Sequence, residues 1–257
     1  IFYMKQLILY YQTFISLKPL FDNNTLPTHI QISSIHFGKD KNNISYIHLN
    51  DQPPNSLIFS SMWKEIEIAH NLGVKIKLMI GGACLAFQEM FSNFDLYYGF
   101  LKNVLKSHSY ICGVDLDIEE NVDLNDIIKL VNTLKTDFGN EFLISFAPVA
   151  YALQQNQPGM GGFLYNDLMN IIGNKIENLN TQFYYDFCVD SYTEVIQNGY
   201  KPNQVILGMT QNNNNEFKIV NDLCQKYKDF NGIFFWELSL LDNPIEWIKK
   251  MKEILRK

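Results

Sequence analysis

The stretch "YICGVDLDIEE" (Tyr110–Glu120), followed at once by "NVDLNDIIKLVNTLKTDFG" (Asn121–Gly139), changes its apolar period part-way along, and that change decides the fold. In the first half Val114, Leu116 and Ile118 alternate with Asp115, Asp117 and Glu119. A period of two belongs to a strand, on which residues two apart share a face and are spaced by about 6–7 Å. In the second half Leu124, Ile127, Ile128, Val131 and Leu134 follow the 3.6-residue period of a helix, and Gly139 is a plausible stop. Acids are also welcome at a helix N-terminus. The β-branched alternation and the better helix start at Asn121–Asp126 favour the strand.

The same unit recurs along the chain. β-rich runs lie at Met4–Tyr11, His29–Phe37, Val74–Ile80, Ile111–Asp117, Glu141–Ala147, Leu179–Tyr185, Gln204–Gly208 and Gly232–Trp236, at intervals of about thirty residues. Helical patterns are found at Ser60–Leu72, Phe94–Ser107, Leu124–Phe138, Phe163–Ile172, Tyr192–Asn198, Glu216–Tyr227 and Pro244–Leu255. The first connection, Thr13–Phe21, leaves room only for a short helix before Pro27, and "NNNN" at Asn212–Asn215 reads as a surface loop. Eight strands alternating with helices predict an α/β chain, a single (β/α)8 TIM barrel with residues 1–257 forming one catalytic domain.

With 257 residues, of which 47% are apolar, the chain can build a substantial core. A net charge of -6 offers nothing to nucleic acid or anionic membranes, and no apolar run reaches the ~18 residues of a membrane span. Arg256 is the only arginine, so guanidinium clamps on phosphate or carboxylate are essentially unavailable and a neutral substrate is the natural partner. Cys84, Cys112, Cys188 and Cys224 form no CxxC pair, and the histidines form no HExxH pattern. No metal or other cofactor is expected, and a monomer is. The N-terminal "IFYMKQLILYYQTF" reads as a first strand, since it lacks basic charge and a small-residue cleavage site. Asn23 and Asn43 stand in glycosylation tripeptides. Compartment stays open, with an extracellular location favoured only by the substrate class discussed below.

Burying like charges together is costly unless hydrogen bonds satisfy them or a proton is shared. Barrel active sites sit at the C-terminal mouth, so Glu119 falls where catalytic residues are expected while Asp115 and Asp117 climb toward it from inside. An acid above two carboxylates resists ionising, which makes Glu119 the candidate general acid. The usual retaining glycosidase needs a second carboxylate about 5 Å away on another strand. The seventh strand, "QVILGMT", offers none. Substrate assistance remains, in which a sugar acetamide attacks the anomeric carbon and Asp117 holds it.

Residues 112–119, "CGVDLDIE", resemble the glycoside hydrolase family 18 signature DGxDxDxE and depart from it at Cys112. Further fragments in the same order resemble that family's barrel motifs: "SSIHFG" (33–38), "MIGG" (79–82), "FAPV" (146–149), "TQFYYD" (181–186) and "IFFWE" (233–237). The resemblance spans nearly the whole chain. It implies that Glu119 protonates the glycosidic oxygen and later activates water, that Asp117 orients the acetamide, and that Asp115 supports Asp117. Tyr184 would hydrogen-bond the acetamide oxygen or a carboxylate, Trp236 would floor the cleavage point, and Gly81, Gly82 and Gln182 would face substrate.

Other readings stand beside these. Trp236 could fill the core, Gly81-Gly82 could be only a turn, and Tyr185 competes with Tyr184, although the Gln182 register favours the latter. Glu120 faces away from Glu119 as a solvated or loop-binding charge. Trp63, Phe87 and Tyr151 lie near mouth loops, where single aromatics more often pack than bind sugar. Cys112 replaces the deepest acid, Met79 a serine, and Tyr185 an Asn or Asp. The chain has no room for the family's α+β insertion, so it is similar to compact plant-type and fungal-type members with an open, shallow groove. The implied function is chitinase-like cleavage of N-acetylglucosamine polymers. An endo-β-N-acetylglucosaminidase and a non-catalytic carbohydrate-binding barrel are the alternatives.

Overall fold

Every β-rich segment becomes a strand, and the strands close on themselves. The computed structural model describes residues 5–211 and 215–256. Its strands are β1 (Gln6–Tyr11), β2 (His29–Lys39), β3 (Ser45–Leu49), β4 (Lys75–Gly81), β5 (Ile111–Asp117), β6 (Leu143–Phe146), β7 (Asn178–Gln182), β8 (Val205–Met209) and β9 (Gly232–Phe235). All except β3 are parallel and follow chain order around the sheet, and β1 pairs with both β9 and β2, which closes an eight-stranded barrel. The helices are α1 (Lys18–Asp22), α2 (Ser60–Asn71), α3 (Phe87–Ser92), α4 (Phe94–Ser107), α5 (Leu124–Phe138), α6 (Ala150–Gln154), α7 (Tyr165–Ile172), α8 (Val189–Gln197), α9 (Glu216–Lys226) and α10 (Pro244–Leu255). The fold is a (β/α)8 TIM barrel.

Several details differ from the expectations. β3 was not anticipated; it pairs antiparallel with the end of β2 and makes a hairpin at the mouth side of the barrel. Only its last residue is buried, so the burial-driven alternation that marks the other strands is weak there. β7 ends at Gln182, three residues early, because the chain turns at Phe183, whose N–H lies against the Thr181 and Gly208 carbonyls. α8 starts three residues early, where the Cys188 thiol accepts from Ser191 N in place of a usual oxygen cap. The expected strand residue Met4 and loop residues Asn212–Asn214 lie outside the described residues.

The outer strand faces and the inner helix faces form one large apolar cluster, to which α5 contributes Ile127, Leu130, Val131 and Leu134. Inside the barrel a smaller cluster of Ile8, Tyr10, Met79, Ile206 and Phe234 is surrounded by buried polar side chains. Four of these are linked in series: Gln6 Nε2 donates to Asn178 Oδ1 (3.2 Å), Asn178 Nδ2 to Asn180 Oδ1 (2.6 Å), and Asn180 Nδ2 to Asp115 Oδ1 (2.9 Å). Among the described residues no helix is long and apolar enough to cross a membrane.

Gly113 lets β5 lie close to β6. A Cβ there would collide with the Leu143 carbonyl and come within 2.8 Å of Leu143 Cβ, opposite which Gly113 pairs. Gly113→Ala is expected to cost about 1–3 kcal/mol through forced separation of the two strands, read as a lower urea midpoint with an unchanged m-value.

Candidate active site

The acid row owes its aim to a register shift. β4 and β5 pair Ile76 with Ile111 but Lys77 with Gly113, so Cys112 is the extra residue and Gly113, Asp115 and Asp117 fall level with Lys77, Met79 and Gly81. Cys112 itself is half-buried, with its thiol on the Ile76 carbonyl (3.3 Å) and pushed up by burial. Above it the row rises toward the mouth.

Asp115 is fully buried. Its Oδ2 accepts from Tyr10 OH (2.7 Å), and its Oδ1 accepts from Ser145 Oγ (2.5 Å) and Asn180 Nδ2 (2.9 Å). Burial raises its pKa, while the Lys77 ammonium and these three donors oppose the rise. Asp117, also buried, accepts one bond from Gln182 Nε2 (3.1 Å). Burial first, then the charges of Glu119 and Asp115, push its pKa well above the ordinary 3.8. Glu119 is half-buried and is raised by burial, with the Gln182 amide pulling the other way. Repulsion within the row therefore falls most heavily on Asp117, the middle acid, and less on Glu119 than its position above two carboxylates suggested.

The expected partners gather around this row. Tyr184 is turned inward, edge-on to Phe234 with ring centroids 6.1 Å apart, and burial followed by the carboxylate charges keeps its phenol neutral. Tyr185, by contrast, is fully exposed. Trp236 is half-buried at the end of β9 and tilts against Tyr10 at 5.1 Å, presenting a ring beside the acids. Gln182 commits its amide to Asp117 and to the Ala147 carbonyl (2.9 Å), so it braces the row. Gly81 and Gly82 have φ of +91° and +96°, and Gly82 N donates to Asp117 O (2.9 Å). A side chain at Gly81 would meet the Asp117 carbonyl and come within 2.6 Å of the Phe87 ring. Of the mouth aromatics, Phe87 is buried and Trp63 is tied to Pro54 O (2.9 Å), whereas Tyr151 stays exposed.

Glu120 is not solvated. It is buried, and its carboxylate accepts from Ala86 N (2.5 Å), Phe87 N (2.6 Å) and Gln88 N (3.0 Å), which holds the loop leaving Gly82 at the start of α3. Glu237, next to Trp236, does the same for the end of β1, accepting from Gln12 N (3.3 Å) and Thr13 Oγ1 (2.8 Å). Between these two clamped segments and β3 runs a groove of 470 Å³ lined in part by Gln12, His36, Tyr46, His48 and Leu85, where Tyr46 and His48 stack at 3.9 Å. Sequence reasoning also passed over Tyr10, Ser145, Asn180 and Lys77. The signal was present as polar residues at alternate positions in "KIKLMIG" and "NLNTQ", the pattern of a strand whose inward face is polar.

No protein-family model and no curated protein matches this sequence. Solved structures do. A fungal endo-beta-N-acetylglucosaminidase from glycosyl hydrolase family 18 is 30% identical, with 98% of each chain covered and a TM-score of 0.86. Chitinase ChiC from Aspergillus fumigatus is 30% identical over 97% of this chain and 99% of its own, at a TM-score of 0.83. A family 18 chitinase from Pseudoalteromonas aurantia, 20% identical over 97% and 99% at a TM-score of 0.76, shares the fold.

Two stability measurements test the geometry. Glu120→Ala leaves three N–H groups without their acceptor and is expected to cost about 2 kcal/mol or more in urea unfolding. Asp117 binds its proton more tightly folded than unfolded, so its contribution is full below about pH 4 and is lost as pH rises through the raised value. Asp117→Asn should therefore match or exceed the parent's stability at pH 7, and its urea midpoint should fall less between pH 4 and 8. A steeper fall would contradict the assignment.

Proposed function

The chain belongs to glycosyl hydrolase family 18, and from that premise we propose that it is an endo-acting, chitinase-like hydrolase of β-1,4 bonds between N-acetylglucosamine units, with the barrel as its catalytic domain. The observation that carries this reading is the gradient within the acid row: a hydrogen-bonded Asp115 at the base, a strongly proton-retaining Asp117 in the middle and a half-buried, proton-retaining Glu119 at the mouth.

In the proposed mechanism Glu119 gives its proton to the glycosidic oxygen as the bond to the anomeric carbon breaks. The acetamide oxygen of the same sugar closes on that carbon, forming a cyclic oxazolinium ion. Asp117 receives a hydrogen bond from the acetamide N–H, so its carboxyl becomes more useful as positive charge develops on the ring. Tyr184, a neutral phenol, donates to the acetamide oxygen, and Trp236 supplies an apolar floor under the sugar. Water then attacks the anomeric carbon from the face the leaving group vacated, opposite the acetamide oxygen, whose bond to that carbon breaks while Glu119 takes the water's proton, and configuration is retained. β8, "VILGM", brings no carboxylate that could serve instead as a nucleophile.

A 30%-identical relative that is an endo-beta-N-acetylglucosaminidase supports a second reading, cleavage within the chitobiose core of an N-glycan by the same machinery. Chitooligosaccharides and an N-glycopeptide, incubated across pH 4 to 8 beside a Glu119→Gln variant, test both. Cleavage of the oligosaccharides with retention is expected, together with a loss of about a thousand-fold or more in kcat for the variant. Cleavage of the glycopeptide alone would select the second reading. Binding without cleavage of either would make this a carbohydrate-binding barrel.

A further inference from the structure

Beneath the acid row lies a cation that the row's own residues do not explain. Lys77, on β4, has no solvent exposure. Its Nζ donates to Ser145 Oγ (3.1 Å), and the Ser145 hydroxyl in turn donates to Asp115 Oδ1 (2.5 Å). A fully buried ammonium is costly to hold and needs a compensating partner. Lys77 has one in Glu177, directly ion-paired to it, but Glu177 is shared: Lys75 Nζ and His29 Nε2 each stand 3.9 Å from it. Burial holds the His29 pKa down to about 3, so that ring is neutral.

Around Glu177 the floor of the barrel thus carries two ammonium groups against one carboxylate, with Lys135 of α5 farther out among Glu141 and Lys175 and the Cys112 thiol uncharged. The titratable groups that face Asp115 are Asp117 and Glu119 above it along its own segment and, from other elements, the phenols of Tyr10, Tyr184 and Tyr165, which burial holds neutral. Lys77 is the cation wired to Asp115 by hydrogen bonds. Asp117 has no such link, since its carboxyl accepts only from the Gln182 amide.

We propose that Lys77 is a positioning residue of the acid row: buried beneath Asp115 and joined to it through the Ser145 hydroxyl, it keeps the negative charge on Asp115 and so leaves a proton held by the row on Asp117. The inference rests on the catalytic reading above for its consequence, but not for its test. A proton on Asp117 leaves its carboxyl neutral in the buried middle of the row, and a proton misplaced on Asp115 would leave Asp117 charged there with one amide as its partner. Cys112 fits this arrangement. An acid at that position would stand beside Lys77 and draw its field away from Asp115.

The test is carbon-detected NMR titration of the Asp115 and Asp117 carboxyls, with the pH dependence of kcat on chitooligosaccharides as a second readout. Lys77→Met is expected to raise the apparent pKa of the coupled pair by about one unit or more, since a nearby opposite charge depresses an acid by about 1–3 units. Glu177→Gln is expected to move it the opposite way, because it removes the charge that offsets Lys77. Ser145→Ala, which breaks the link but keeps both charges, should shift it upward by less and carries the test alongside Glu177→Gln if Lys77→Met does not fold. In the enzyme assay Lys77→Met should displace the pH profile upward and lower kcat about ten-fold or more at little cost in KM, since Lys77 cannot touch sugar. Unchanged carboxyl titrations, or shifts of the same sign for Lys77→Met and Glu177→Gln, would overturn the proposal. Loss of the expected titrations is independent of turnover, so a parent protein that binds without cleaving would fail the catalytic reading alone.

Discussion

The cost of removing charge from water governs this barrel. Asp115 and Asp117 share one face of β5 inside a closed, close-packed wall, with Glu119 just past the strand's end, and the three cannot all be ionised without partners. Donors are concentrated at the base, where Tyr10, Ser145 and Asn180 converge on Asp115, and they thin out upward until Asp117 has one amide. Solvent returns only at Glu119. Proton affinity therefore varies along the strand because hydrogen-bond supply and burial vary along it, and the chemistry of the mouth follows from that variation.

Backbone geometry makes the gradient possible. The extra residue at Cys112 turns the acids inward in step with the residues of β4. The glycines at 81 and 82 allow the end of β4 to approach the Asp117 carbonyl, which a Cβ would prevent at Gly81. Outside the wall, large apolar contacts such as those of α5 give the strands no room to slide, so the row is held in register by residues that never meet it.

The outward-facing half of the architecture was legible because it is apolar and periodic: the runs that bury against helices announced all eight barrel strands and the longer helices. The acids announced themselves by contrast, since Asp115 and Asp117 interrupt such a run. Tyr184 could be preferred over Tyr185 because alternation survives the turn at Phe183. What could not be read was anything that depends on closure. Lys77 looks like a solvent-facing residue of an amphipathic strand until β4 and β7 are known to face one another across a lumen, and Asn178 and Asn180 look the same. Glu120 gave no local sign that its partners stand more than thirty residues upstream at Ala86, Phe87 and Gln88.

Glu119 and Glu120 are neighbours in the chain with divided duties. One carboxyl projects into the mouth, and the next one anchors the segment that begins at Gly82 and forms part of the groove wall. A single peptide unit separates the carboxyl at the mouth from the tether of that wall. Displacement of that wall would reach Glu119 as a rotation of its own backbone, so the position of the groove wall and the aim of the carboxyl at the mouth are mechanically coupled in this barrel.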